Sequence, residues 1–112
     1  MKPYFFLMHG RPSPESSEFA NVSHGNIHIW VMAPDVDAAE KIALSYVTGY
    51  NWIPEATEYA LEIQPEQIPT LHEAEARLYR QALERGVAAD FVGVKRGDPE
   101  GPNVVEMRRM KP

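Results

Sequence analysis

Two short, almost entirely apolar segments constrain the fold of this chain most. The side chains of a β-strand alternate between two faces, so a strand with apolar residues on both faces has to be buried on both sides. Residues 4–8 are Tyr-Phe-Phe-Leu-Met, and residues 27–32 are Ile-His-Ile-Trp-Val-Met. Each segment therefore predicts a strand whose two faces both need to be covered.

Two further segments, residues 37–48 and 70–85, have apolar side chains at the spacing of an α-helix. Each begins with the pattern of a capping box and ends at a glycine that can adopt the left-handed conformation. These signals are Asp37, Glu40 and Gly49 in the first helix, and Thr70, Glu73 and Gly86 in the second. Both segments therefore predict helices with one buried face.

Residues 52–63, 89–94 and 104–110 predict three more strands, and residues 97–103 predict a hairpin turn. The element order is then β-β-α-β-α-β-(β). Because two helices cannot cover both faces of such a sheet, we expect an α+β two-layer sandwich. Its mixed or antiparallel sheet of four or five strands would have both helices on one face. This architecture resembles ferredoxin-like domains in kind, although two strands precede the first helix, and the resemblance implies no functional residues.

The composition excludes several classes of function. The 112 residues are 44% hydrophobic and 24% charged, as in a globular protein, and fit a single α+β domain spanning residues 1–112. The absence of cysteine excludes disulfides, thiolate metal sites and a cysteine nucleophile. The net charge of −5 argues against broad binding to nucleic acid. Without a membrane span, a signal peptide or a phosphate loop, we expect a cytoplasmic protein with no cofactor.

Residues 10–25 predict a long, mobile loop, and histidines lie at both of its ends. His9, His24 and His28 converge there if the first two strands form a hairpin, and Asp90 is an acid within an otherwise apolar strand. These four residues are the candidate ligand-binding site. The histidine spacing matches no specific metal signature, so no metal is predicted from it.

Other constellations carry weaker signals. Ser23, His24 and Glu18 could be drawn as a catalytic triad, but no nucleophile-elbow pattern accompanies them. A basic cluster at the end of the chain could contact an acidic partner, although it lacks aromatic residues for stacking on single-stranded nucleic acid. That cluster is Lys95, Arg96, Arg108, Arg109 and Lys111.

The favoured hypothesis is a self-associating domain with a binding or regulatory role. If both helices cover one face, the other face needs a partner, and a homodimer is the simplest one. The predicted interface residues are Tyr4, Phe6, Met8, Trp30 and Met32. The alternative is a small enzyme, or a binder of a small ligand or metal, with its pocket under the loop at residues 10–25.

Overall fold

The computed structural model describes residues 1–96 and 104–109 and has an α+β architecture with an open antiparallel sheet. The order of the strands across the sheet is β3-β1-β2-β4-β5. In chain order the elements are β1 (Lys2–Pro12), β2 (Val22–Ala33), α1 (Val36–Gly49), β3 (Trp52–Glu62), a 3-10 helix (Pro65–Thr70), α2 (Glu73–Arg85), β4 (Val87–Lys95) and β5 (Val104–Arg109). The predicted turn at 97–103 lies outside the described residues. No helix in the described part of the chain is long and apolar enough to cross a membrane.

β1 and β2 form a long antiparallel hairpin that is paired from Lys2 and Ala33 to Gly10 and Gly25. Residues 10–12 and 22–25 therefore belong to strands, and the connection is residues 13–21 rather than the predicted 10–25. The backbone of this connection makes several hydrogen bonds to itself, such as Phe19 N–H to the carbonyl of Ser16 at 3.1 Å. Its mobility stays a prediction that limited proteolysis can test.

The two helices lie on opposite faces of the sheet. Phe6 and its cross-strand partner Ile29 belong to the core formed with α1, on what we call the α1 face. Trp30 points the other way and packs with Leu78 of α2, on what we call the α2 face. The predicted two-layer sandwich with both helices on one face is therefore wrong. Strands that are apolar on both sides need two covers, and each helix supplies one.

The ends of the helices differ in detail from the prediction. The carboxylate of Asp35, not of Asp37, accepts the hydrogen bond from the Ala38 N–H at 2.8 Å and caps α1. α2 begins at Glu73 rather than Thr70, because Pro65–Thr70 forms the separate 3-10 helix. Gly86 ends α2 in the left-handed conformation, as predicted, with φ of 91°.

A row of glycines crosses the middle strands. Gly10 of β1 pairs with Gly25 of β2, which in turn pairs with Gly93 of β4. A Cβ atom on Gly25 would lie 2.4 Å from the carbonyl oxygen of Val92, and one on Gly10 would lie 2.6 Å from that of Ile53. The strands therefore approach more closely along this row than any residue with a side chain would allow.

Candidate functional site

α2 covers only part of the α2 face. Four apolar side chains of β1 and β3 remain beside it at the edge of the sheet, and we call them the apolar shelf: Phe5, Leu7, Tyr59 and Leu61. Phe5 pairs with Leu61 and Leu7 with Tyr59, so all four point to the same face. Tyr59 and Leu61 are 49% and 48% exposed, and the other two are half-buried. The shelf is a contiguous apolar surface that the described part of the chain leaves open.

Tyr59 and Leu61 of the shelf lie in an acidic stretch of the chain. Residues 42–76 contain six glutamates and not one lysine or arginine. On the α2 face, Glu58 borders the shelf beside His9, with their side chains 2.7 Å apart, and Glu75 of α2 borders it beside Phe5. Glu58 and Glu75 therefore place two carboxylates at the border of the shelf, which favours a positively charged partner.

β3 forms an edge of the sheet, because within the described residues it pairs with β1 alone. The first half of this edge is irregular: Pro54 lacks an N–H, and two register shifts interrupt the pairing with β1. The pairing of residues 59–62 with residues 4–7 is regular. This second half, which carries Tyr59 and Leu61, is the part of the edge that can accept another strand.

A polar cluster stands where α2 crosses the sheet beside the shelf. The indole N–H of Trp30 donates to Glu75 Oε1 at 2.6 Å, and His28 Nδ1 lies 3.4 Å from Glu75 Oε2. The hydrogen bond to Glu75 raises the pKa of His28, and the charges of Glu75 and Asp90 add to this against the opposing effect of burial. The same hydrogen bond, with that from Trp30, lowers the pKa of Glu75. Glu75 is therefore held as an oriented carboxylate.

Asp90 extends this cluster onto β4. It is the direct cross-strand partner of His28 and is only 7% exposed. Arg77 Nη2 lies 3.7 Å from Asp90 Oδ2, so the buried carboxylate has a cation from α2 nearby. The negative charge of Asp90 favours the protonated form of His28, and the nearby guanidinium of Arg77 compensates the charge of Asp90.

A small cavity opens between the shelf and α2, next to this cluster. It has a volume of about 190 Å³ and is lined by Phe5, Trp30, Ile63, Leu71 and Glu75. The rings of Phe5 and Trp30 are 5.6 Å apart at an angle of 52°. We call this cavity the Glu75 pocket, because Glu75 is the charged group in an otherwise apolar wall.

Two of the four predicted ligand-binding residues are direct cross-strand partners in the structure. His28 and Asp90 are neighbours, and His9 is on the same face, between Asn26 Oδ1 at 2.6 Å and Glu58 Oε1 at 2.7 Å. His24 lies four residues from His28, is exposed, and contacts the hydroxyl of Ser23 at 2.9 Å. In the described part of the chain no three of these groups converge to hold a metal ion.

The predicted pocket under the loop is not where these residues lie. A cavity of about 320 Å³ does adjoin the connection between β1 and β2, but its lining is Ser16, Ser17, Glu18, Gly49, Tyr50 and Asn51. Glu18 also accepts the indole N–H of Trp52 at 3.1 Å, whereas Ser23 Oγ and His24 Nδ1 contact each other at 2.9 Å. The lining of the cavity beside the connection therefore includes none of the four predicted ligand-binding residues.

The predicted dimer interface is also corrected. Tyr4, Phe6 and Met8 are buried beneath α1, whereas Trp30 and Met32 belong to the core on the α2 face. The five residues therefore form no common surface. Strand register explains the error, because Tyr4 pairs with Val31 rather than with Trp30.

The basic cluster has a structural component. The Arg96 guanidinium donates to the carbonyls of Phe19 and Val22 at 2.9 and 3.3 Å and lies over the Phe19 ring. It holds the β1–β2 connection against the end of β4. Lys111 lies outside the described residues.

Glu75 was not among the predicted site residues, although the sequence contains a signal for it. Glu75, Leu78 and Ala82 share one stripe of α2, so Glu75 places a carboxylate in line with apolar residues that face the sheet. A carboxylate at such a position needs buried partners, and here they are Trp30 and His28.

Comparisons with known proteins identify no relative. No protein-family model matches the chain. No curated protein and no solved structure matches it either.

Proposed function

We propose that this domain binds an extended, basic segment of a partner protein along the second half of β3. The observation that carries the proposal is the pair Tyr59 and Leu61, half exposed on a regular sheet edge and next to Phe5 and Leu7. A peptide that adds a strand to such an edge gains main-chain hydrogen bonds and can place alternate side chains on the shelf.

The charge of the edge favours a basic partner over a second copy of this chain. A two-fold dimer on the shelf would bring the glutamate-rich stretch of residues 42–76 close to its own copy, which costs free energy at low salt. The homodimer expected from the sequence no longer has the interface on which it rested. Light scattering at high micromolar protein tests it: a monomer agrees with the present proposal.

The first experiment measures binding of a fluorescent eight-residue peptide, Val-Val-Lys-Lys-Val-Val-Lys-Lys, by fluorescence anisotropy. This order places both valine and lysine on each face of an added strand. Full burial of a leucine-sized side chain contributes about 1.5–3 kcal/mol, and about half of Leu61 is still exposed. Leu61→Ser is therefore expected to weaken binding by about 1 kcal/mol, roughly fivefold. Tyr59→Ser should have an effect of similar size.

Leu83→Ser provides the matched control. Leu83 is 52% exposed, like Leu61, but it is on the C-terminal half of α2, outside the shelf. Its loss should leave the affinity unchanged. The same peptide with glutamate in place of each lysine should not bind, and added salt should weaken binding of the basic peptide. Equal weakening by the serine variants of Leu61 and Leu83 would contradict the proposal.

A second candidate is the small enzyme or small-ligand binder, and the neighbouring positions of His28 and Asp90 favour it. His28 beside Glu75 can hold and release a proton, and the cluster is half-buried beside an open cavity. A thermal-shift screen against metabolites tests this candidate, because a ligand at about 100 times its Kd stabilises the protein by roughly 2.7 kcal/mol. Stabilisation that survives Leu61→Ser but not His28→Gln would favour it over the peptide.

A further inference from the structure

The Glu75 pocket has the size of a site for one side chain rather than for a whole ligand. Pockets for drug-sized ligands usually have volumes of about 300–1,000 Å³. The Glu75 pocket has about 190 Å³ and opens beside Phe5, one of the four residues of the shelf. A segment lying on the shelf therefore has a cavity within reach of one of its side chains.

The chemistry of the pocket selects a cation on an apolar stem. Ile63 and Leu71 provide aliphatic walls, which suit methylene groups. Phe5 and Trp30 add aromatic rings that attract a cation. Glu75 provides a carboxylate that Trp30 already orients through a 2.6 Å hydrogen bond. An ammonium group at the end of an alkyl chain matches all three features.

We propose that the Glu75 pocket receives the alkylammonium side chain of a lysine from the segment docked on the shelf. This inference rests on the proposed function, which supplies the segment. The lysine stem lies between Phe5 and Leu71, and its ammonium group donates to the carboxylate of Glu75. The pocket then determines where along a basic segment the domain binds.

His28 makes this site sensitive to pH. It shares Glu75 with the incoming ammonium, and the other ionisable groups nearby are Asp90 across the strand, Arg77 beside Asp90, and His72 near Glu75. Protonated His28 competes for the carboxylate, so lysine binding strengthens as the pH rises through the pKa of His28. Glu75 itself stays ionised, since its pKa is lowered.

The experiment follows the indole N–H resonance of Trp30 by NMR while n-butylammonium chloride is added. The signal is expected to shift until the site is saturated, and the apparent Kd for n-butylammonium should be lower at pH 8.5 than at pH 5.5. 1-Butanol should not shift the signal. Glu75→Gln keeps an acceptor for Trp30 but removes the charge, and is expected to weaken n-butylammonium at least tenfold. Glu73→Gln removes one carboxylate from the same turn of α2 and should change nothing.

Binding of the lysine–valine peptide to the same proteins is then measured. A norleucine–valine peptide, in which norleucine replaces each lysine, is measured on the unmodified protein only. The inference is supported by two results together. The lysine peptide binds Glu75→Gln at least tenfold more weakly than it binds the unmodified protein, and the norleucine peptide binds the unmodified protein at least tenfold more weakly than the lysine peptide does. Unchanged binding of the lysine peptide to Glu75→Gln overturns it while leaving docking on the shelf intact. Binding of n-butylammonium without the peptide overturns the proposed function and assigns the pocket to a free amine. Binding of neither probe overturns both.

Discussion

The glycine row gives the sharpest quantitative test of the strand register. In Gly25→Ala the added Cβ would meet the carbonyl oxygen of Val92 at 2.4 Å and the Cα of Gly93 at 2.9 Å. Ordinary contact begins at 3.4 Å, so β2 and β4 would have to separate by about 1 Å (3.4 − 2.4). Both obstacles are backbone atoms, and no side-chain rotation can relieve them.

The cost follows from two effects. Overpacking a tight site costs about 1–3 kcal/mol, and a lost or weakened hydrogen bond between the strands costs about 1 kcal/mol more. We expect Gly25→Ala to lower the free energy of unfolding by about 2–4 kcal/mol, a large part of the roughly 5–15 kcal/mol typical of a domain. With an m-value of about 1.5 kcal/mol/M, the urea midpoint should fall by about 1.3–2.7 M.

Two other glycines serve as controls in the same urea titration, followed by circular dichroism. Gly49 ends α1 with nothing within 4 Å of a Cβ, so Gly49→Ala should stabilise by up to about 1 kcal/mol. Gly86 has open space too, but its φ of 91° should make Gly86→Ala cost about 1–2 kcal/mol. A Gly25→Ala protein as stable as the parent would refute the pairing of Gly25 with Gly93.

Three further predictions concern other contacts. His28 has a raised pKa in the fold, so the stabilisation from its charge is fully present below about pH 6.5 and is lost as the pH rises through the folded pKa. His28→Gln should therefore lower the free energy of unfolding, measured in urea, by up to about 1 kcal/mol at pH 5.5 and by nearly nothing at pH 9. Arg96→Ala should cost about 1–2 kcal/mol and speed tryptic or chymotryptic cleavage within residues 13–21, because two carbonyls lose their donor. Ala43→Leu and Ala82→Leu should each cost about 1–3 kcal/mol by overpacking opposite faces of the sheet, and tolerance at either position would contradict the packing of that helix.

Local patterns in the sequence predicted the elements better than their assembly. The helical spacing of residues 37–48 located α1 almost to its ends, and Gly86 marked the end of α2. These signals act over a single turn of helix. The apolar character of residues 4–8 and 27–32 also required cover on both faces, and the error lay in assigning one of the covers to a second chain.

The site depends on contacts between residues that are distant in the sequence. His28 meets Asp90 only because β2 pairs with β4, and that register has no local signal. Glu75 reaches Trp30 only because α2 crosses the face opposite to α1. The histidines and Asp90 could thus be nominated from sequence, whereas their carboxylate partner on α2 could be found only from the packing.

The placement of one helix on each face also has a consequence for synthesis on the ribosome. The β1–β2 hairpin and α1 are made first, and α1 can begin to cover its face of this hairpin as soon as residue 49 has emerged. The opposite face, with Phe5 and Trp30, has to wait for α2. At about 5–20 residues per second, the interval between residues 33 and 85 is roughly 3–10 s. During this interval the nascent chain presents an aromatic sheet surface to chaperones and to neighbouring nascent chains, so the position of α2 in the gene sets how long that exposure lasts.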